Sequence, residues 1–309
     1  MDALTEALNG VRLRSTIHCP SELSGRWGLR VESKGGAPFY IVLHGIGWLE
    51  VDGLEPVRLE AGDFVILPQD SAHTLKDAPD SPAHPLCSLL EQVPLGDDGI
   101  WRFGGGGKTT VAIGGCFYFE EARTSPLLRA LPPLLHIRGE AGRAVAWLEP
   151  TVQYIASEAR SGRMGAEAVI TRLSDVLFVQ AVRAYVCGLP AGESSWLHAM
   201  SDPQIGRALT LIHQQPEQPW KVETLAMEVA MSRSAFAARF TQLVGEPTLR
   251  YVTRWRIHKA ALLLRQSRKS VAEVAAQVGY QSEAAFSRVF KQWTGEAPAA
   301  FRRTALLSP

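Results

Sequence analysis

Four sets of residues in this 309-residue chain have types and spacings that could do chemistry. His44, Glu50 and His73 are two imidazoles and a carboxylate, the donor types that hold a divalent transition metal. Residue 46 is Ile, so no His-x-His pair forms, and three scattered donors make a weak site; the expectation is that no metal and no cofactor binds. Cys19, Cys87, Cys116 and Cys187 show no C-x-x-C spacing; structural thiols are the default reading, and reversible oxidation of single thiols is the chemistry they could do. Gly104 to Gly107 precede Lys108-Thr109-Thr110, but a phosphate-binding loop would need Gly at residue 102, where Arg102 stands, and a flexible loop is expected. No Ser-His-Asp order and no dinucleotide fingerprint appears. The fourth set lies near the C-terminus, where short serine-led segments carry Arg233, Ser234, Ala237, Ala238 and Arg239, and Glu283, Ala284, Ser287, Arg288 and Lys291. Side chains of these types, presented from a helix, read base edges and phosphates of duplex DNA.

The elements that must present them are repeated. Ser232-Arg-Ser-Ala-Phe236-Ala-Ala-Arg-Phe240 with Gly245-Glu246 recurs as Ser282-Glu-Ala-Ala-Phe286-Ser-Arg-Val-Phe290 with Gly295-Glu296, an offset of 50 residues throughout. Upstream of each copy, Leu225-Ala226 and Val229-Ala230, or Val274-Ala275 and Val278-Gly279, recur at helical spacing. Each copy therefore predicts a helix, a tight turn and a second helix capped by Ser232 or Ser282, a helix-turn-helix. Gly279 is free to take the left-handed conformation at a helix C-terminus. Phe236 with Phe240, and Phe286 with Phe290, share one helix face and should pack inward. Rotation by about 100° per residue then turns Ser234, Ala237 and Ala238, and Ala284, Ser287 and Arg288, away from the core.

Charge separates the chain. From Met200 onward there are 15 Lys/Arg against 8 Asp/Glu, whereas the preceding residues carry 17 against 23, so the total of +1 conceals a basic segment joined to an acidic one. That is the balance expected when only the C-terminal part meets phosphate.

Residues from about Asp202 to Arg303 resemble the DNA-binding domain of the AraC/XylS family of bacterial transcription regulators. The resemblance rests on Val274-Ala275, Gly279-Tyr280, Ser282, Phe286, Arg288, Phe290-Lys291, Gly295, Pro298 and Arg302, which fill every fixed position of the family's string. It implies a long linker helix from Thr248 to Arg265 between the two units. The apolar stripe Leu249, Val252, Ile257, Ala260, Ala261, Leu264 agrees, leaving Arg250, Arg254, Arg256 and Lys259 as a solvated face or as phosphate contacts.

The first two-thirds reads differently. Tyr40–Leu43, Trp48–Val51, Pro56–Leu59, Phe64–Leu67 and Val111–Phe119 are short β-like runs between Gly, Asp and Pro turns, the pattern of a sandwich or small barrel. From about Gly142 to Val186, with Trp147-Leu148, Val152, Tyr154-Ile155, Ile170, Leu173, Val176-Leu177 and Val182, the apolar period becomes helical. Two amphipathic helices are expected there, covering the barrel or forming a dimer seam along Leu173, Leu177 and Ala181. Gly62-Asp63 through Pro68 to His73 resembles the second motif of the cupin fold, with Asp70 where Gly is usual, and with His44, Glu50 and the Gly104–Gly107 run it is similar to the cupin-type sensor of one branch of the AraC/XylS family. The segments Met1–Leu4 and Leu67–His73 are similar to a reactive-chlorine-responsive member of that branch, which implies Cys19 and Cys87 as redox candidates; Gly114 stands where that branch has Cys before the Gly of the last strand, and Cys116 is a further candidate.

The expected class is α+β: a cupin-like barrel or sandwich over residues 1–140, a helical dimerisation segment over 141–187, a linker over 188–200, and an all-α domain with two helix-turn-helix units over 201–309. The expected function is sequence-specific transcription regulation, without enzymatic activity, by a homodimer on double-stranded DNA, with RNA polymerase as partner if it activates. The signal is a small-molecule effector in a pocket of Tyr40, His44, Trp48, Glu50 and His73, or an oxidant acting on cysteine; a cupin enzyme with an accessory helical domain is the competing class. The start Met1-Asp-Ala-Leu-Thr-Glu has no basic region followed by an apolar core, and no membrane segment is visible, so a cytoplasmic protein with reduced thiols is expected.

Overall fold

Strands of this length bury one face each, and the observed burial alternates accordingly: in Ile46–Val51 the residues Gly47, Leu49 and Val51 are buried and Trp48 and Glu50 only half so. The computed structural model describes residues 3–9, 11, 13–33, 35–119, 125–139, 147–189 and 196–307. Their packing divides the chain into two units, one of Leu13–Phe119 and Leu131–Gly188, the other of Met1–Arg12, Glu120–Ala130 and Leu189–Pro309.

The first unit holds β1 (Leu13–Ile17), β2 (Ser21–Ser24), β3 (Gly28–Val31), β4 (Ala37–His44), β5 (Ile46–Val51), β6 (Val57–Glu60), β7 (Phe64–Ile66), β8 (His73–Lys76), β9 (His84–Pro85), β10 (Trp101–Gly104), β11 (Thr109–Phe119) and β12 (Leu135–Ile137). They form two sheets. One runs β10-β2-β11-β4-β7-β12, with β1 also on β11; the other runs β6-β5-β8-β3-β9. Between them sits a core of Leu23, Trp27, Leu29, Val42, Leu49, Val51, Leu59, Val65, Leu67 and Leu75 with Trp101. The cupin-like β-sheet domain expected from the patterning is therefore present.

The helices in chain order are α1 (Ala3–Asn9), α2 (Leu86–Gln92), α3 (Pro126–Ala130), α4 (Leu148–Ser161), α5 (Ala166–Gly188), α6 (Trp196–Ser201), α7 (Pro203–Gln214), α8 (Val222–Glu228), α9 (Arg233–Val244), α10 (Thr248–Gln266), α11 (Val271–Gln277), α12 (Glu283–Thr294) and α13 (Pro298–Leu307). The two helices expected from Gly142 to Val186 are α4 and α5; Gly142 itself lies outside the described residues. α5 packs its Phe178 on Phe117 and Phe119 of β11, at ring distances of 5.4 and 5.2 Å. Leu177 and Ala181 are fully buried within the single chain, so the stripe read as a dimer seam is spent against the unit's own core. Among the described residues, the large apolar side chains left exposed on these helices are Tyr154, Val169 and Val176.

The helical unit is larger than its sequence reading. α1 and α3 group with it rather than with the sheets, and α6 begins at Trp196, inside the stretch read as a linker; of that stretch, residues 190–195 lie outside the described residues. Its centre is polar as well as aromatic. The Trp196 indole N–H donates to the Tyr251 hydroxyl at 2.9 Å, Tyr251 bonds His213 Nε2 at 2.6 Å, and His213 stacks on Trp255 at 3.6 Å. These bonds tie α6, α7 and α10 into one support for the two repeated units.

Candidate functional site

The two repeats adopt one backbone plan. Just past α8 stands Ala230 at φ +53°, and just past α11 stands Gly279 at φ +83°. In each turn an N–H bonds back five residues, Met231 to the Ala226 carbonyl and Tyr280 to the Ala275 carbonyl, both at 2.9 Å. That is the left-handed helix terminus that glycine favours, and the first copy makes it with alanine. Gln281, the extra residue of the second turn, follows before Ser282. The serine hydroxyls then accept the N–H of Ala235 and of Ala285, each at 3.3 Å, and start α9 and α12. Phe236 with Phe240, and Phe286 with Phe290, are fully buried with ring distances of 5.6 and 5.5 Å, which fixes the rotation of each second helix about its axis.

With that rotation, Ser234, Ala238, Glu283, Ala284, Arg288 and Lys291 are exposed, and Ala284, Arg288 and Lys291 lie one above the other at helical spacing. Ala237 and Ser287 are half-buried, displaced from the outward face that counting by 100° assigned to them. The arginines divide. Arg288 is exposed and has no ion-pair partner among the described residues. Arg239 is clamped to Asp202, with Nη2 and Nε at 2.5 and 3.2 Å from one carboxylate oxygen, and Arg233 pairs with Glu223 at 2.5 Å. Burial, the largest single influence, pushes the Asp202 carboxyl up, but the N–H of Ile205, the Arg239 guanidinium and the N–H of Gln204 together hold it below the usual range. Arg239 is thus engaged by Asp202 within the unit, whereas Arg288 is not engaged by any carboxylate among the described residues.

The linker helix α10 corrects its reading in the same way. Arg254 lies 2.6 Å from Glu246, and Arg256 donates to the carbonyls of Pro216 and Gln218 at 2.7 Å each. Both are held inside the unit because α10 is buried on most of its circumference, including Tyr251, Trp255 and His258. Arg250 is exposed, 3.6 Å from Glu246, and Arg268 is exposed beyond the helix end.

In the sheet unit, the five residues read as one pocket separate. Tyr40 and His73 meet between the sheets: the Tyr40 hydroxyl is 2.7 Å from Nε2, and Nδ1 is 2.8 Å from the Ser71 carbonyl. Burial pushes the Tyr40 phenol up and the His73 imidazole down, so both are neutral near pH 7. A carbonyl only accepts, so Nδ1 carries the proton and Nε2 accepts from Tyr40. Trp48 and Glu50 point to the other face of the sheet, since Leu49 and Val51 are the β5 residues that pair with Leu75 and His73 in the core; Glu50 pairs with Lys76 at 2.7 Å. His44 is exposed at the end of β4, about 13 Å along the strand from Tyr40 at ~3.3 Å per residue. His44, Glu50 and His73 therefore do not fit a bound divalent metal, and no chemistry is routed through one. His44 instead lines a cleft of about 480 Å³ with Trp27, Asp77 and Lys108.

Cys87 and Cys187 are exposed, Cys19 and Cys116 half-buried, and none is bridged. Burial pushes the Cys19 and Cys116 thiols up, which lowers their thiolate fraction.

Comparison with known proteins places this geometry. A family model described as Cupin matches residues 2–187, and a helix-turn-helix domain model matches residues 225–304. A putative AraC-like transcription regulator of Streptomyces lividans is 34% identical over 306 residues, spanning 98% of each chain. This chain belongs to the AraC-like transcription regulators. Similar to it as well are the HTH-type transcriptional regulator AlkR of Acinetobacter baylyi, 30% identical over 98% of this chain and 99% of that one, and the RCS-specific HTH-type transcriptional activator RclR of Escherichia coli, 26% identical over 100% of each. As an AraC-like regulator the chain is a DNA-binding protein with a cupin sensor domain, and no helix among the described residues is long and apolar enough to cross a membrane.

Sequence reasoning about the regulator missed Asp202 as the partner of Arg239, and Trp27 and Lys108 as walls of the cleft. Asp202-Pro203 carries the signal of a helix start, which could have found the first. The isolated glycines Gly25 and Gly45 pointed to close backbone approaches around the second.

Proposed function

We infer that the regulator acts as a homodimer, that each chain reads two successive stretches of one duplex through α9 and α12, and that a small molecule received by the sheet unit sets its affinity for DNA. The observation that carries the reading is the exposed stripe Ala284, Arg288 and Lys291, held outward by the buried Phe286–Phe290 pair, with its counterpart at Ser234 and Ala238. An exposed arginine in that stripe suits bidentate bonding to guanine, and small residues beside it allow close approach to the groove. Dimerisation is assigned to the α4–α5 face that leaves Tyr154, Val169 and Val176 exposed. RNA polymerase is the further partner if the protein activates, and the compartment is the cytoplasm. The sheet unit serves as a sensor and not as an enzyme, a reading supported by the separation of His44 and Glu50 from His73.

A second reading, oxidant sensing, is favoured by the full-length similarity to the RCS-specific activator and by the exposure of Cys87. The raised Cys19 and Cys116 thiols count against it, because attack on an oxidant requires thiolate. The test is binding of the full chain to duplex DNA from upstream of its own and neighbouring genes, titrated against salt and against oxidant. The reading expects affinity to fall steeply with salt, because binding releases counterions condensed on the DNA and added salt weakens that drive, and to survive Cys87→Ser unchanged. Binding insensitive to salt would refute it, and an oxidant response abolished by Cys87→Ser would install the second reading in its place.

A further inference from the structure

The cleft beside His44 is built by the backbone. At Gly25 (φ +69°) and Gly45 (φ +83°) the chain passes the 105–109 segment so closely that a Cβ would overlap the carbonyls of Gly106 and Thr109. Glycine at such crossings lets three loops converge and leaves their junction open, with a volume of about 480 Å³, within the range of small-molecule sites. Its walls divide by chemistry. Trp27 is buried and Ile46 is exposed, giving an apolar surface, and the Trp27 indole N–H has no acceptor among the described residues. Lys108 and His44 are exposed, and neither has an ion-pair partner among the described residues. The one carboxylate on its lining, Asp77, accepts the Trp27 backbone N–H with Oδ1 at 2.8 Å, a bond that holds the side chain in place and leaves its charge unpaired by any cation among the described residues.

We propose that this cleft, not the space around Tyr40 and His73, is the effector site, and that its ligand is a small organic carboxylate. The proposal rests on the sensor reading given above. The apolar body of such a ligand lies against Trp27 and Ile46, and its carboxylate meets the Lys108 ammonium with His44 beside it. A cationic ligand would bring its charge against Lys108, whereas a carboxylate finds two nitrogen groups, Lys108 and His44, against the single Asp77 on the lining. The cleft also has a route outward. β11 starts in it at Thr109 and Thr110 and runs about 30 Å, at ~3.3 Å per residue, to Phe117 and Phe119, which hold Phe178 of α5. A ligand that fixes the start of β11 acts on the strand on which the proposed dimerisation helix is seated.

The experiment is calorimetric titration of the full-length protein with benzoate, octanoate and, as a cationic counterpart, benzylamine, with duplex DNA binding measured on the same preparation. Carboxylates are expected to bind and benzylamine not. Lys108→Met should weaken carboxylate binding about tenfold, the size of one charge-assisted hydrogen bond, with an unchanged melting temperature because Lys108 is exposed. Arg138→Met, which removes an exposed cation elsewhere on the same unit, should leave binding as it was. The proposal is overturned if neither carboxylate binds at millimolar concentration, if benzylamine binds as well as benzoate, or if Lys108→Met binds undiminished. A preparation that binds DNA but no carboxylate sinks this inference alone; one that fails to bind DNA sinks the regulator reading beneath it.

Discussion

Replacing Arg239 by Ala should cost little DNA affinity and little stability, although Arg239 stands on the first recognition helix where an arginine would be expected to touch DNA. Its guanidinium is held by Asp202, whose side chain is only 10% exposed, whereas that of Arg239 is 46% exposed. An ion pair open to water on one side contributes about 0.5–1 kcal/mol. Asp202 does more than pair, because the same carboxylate caps α7 by accepting the N–H of Gln204 and Ile205 at 3.0 and 2.9 Å. Removing an N-cap costs about 1 kcal/mol, so Asp202→Ala should lose about 2 kcal/mol in all, and Asp202→Asn, which keeps an accepting oxygen, about half of that. Chemical denaturation of the three variants gives the order Asp202→Ala, then Asp202→Asn, then Arg239→Ala, from most to least destabilised. DNA titration should place Arg239→Ala within about threefold of the parent, since no free cation is removed. A loss of tenfold or more with stability intact would show that Arg239 leaves Asp202 for DNA, and the clamp would be wrong.

Ala230 holds a left-handed conformation with its side chain exposed, so Ala230→Gly should stabilise the protein by up to about 1 kcal/mol in denaturant, while Gly279→Ala, whose Cβ would lie 2.7 Å from the Glu217 carbonyl, should destabilise it by more than ~1 kcal/mol; equal effects of one sign would contradict the turn geometry. Burial, aided by Lys259 and Arg254, pushes His258 down to about 4, so between pH 6.5 and 4 the unfolded chain binds a proton that the folded chain excludes. Stability should be complete above pH 6.5 and fall by about 3 kcal/mol by pH 4, and His258→Gln should flatten that slope; a slope unchanged in the variant would rule the histidine out. Tyr40→Phe leaves Nε2 of buried His73 without its donor and should cost about 1–3 kcal/mol of stability, whereas an unaffected melting temperature would mean that the bond is dispensable.

The helix-turn-helix pair was legible because everything that specifies it is local. Ser232, Ser282, Gly279 and the phenylalanine pairs act within one turn of themselves, and repetition at a fixed offset doubles each signal. The strands were legible for the same reason, as alternation is a two-residue property. What escaped depends on pairing across long separations. Arg239 and Asp202 are 37 residues apart, and nothing near Arg239 says that its charge is taken. Tyr40 and His73 meet only because β4 and β8 face each other across the core, which a single chain of letters does not state; His44 and Glu50 looked equally suitable by residue type. The helical stripe with Leu177 and Ala181 shows a third limit, because an apolar face looks the same whether it meets a barrel or a second chain. Ala237 and Ser287 show a smaller one, since rotation counted from one buried pair leaves residues at the edge of a face undecided.

The central claim is that α12 reads bases with the stripe centred on Arg288. It is tested most directly by comparing the full-length protein with its Arg288→Ala variant on a duplex selected for tight binding and on each single-base substitution of it. The account predicts that the variant folds with an unchanged melting temperature, binds the selected duplex about 5- to 150-fold more weakly, and loses its preference at one guanine while keeping the others, as removal of about 1–3 kcal/mol of bidentate discrimination requires. A variant that keeps the parent's affinity and its full pattern of preferences would contradict it.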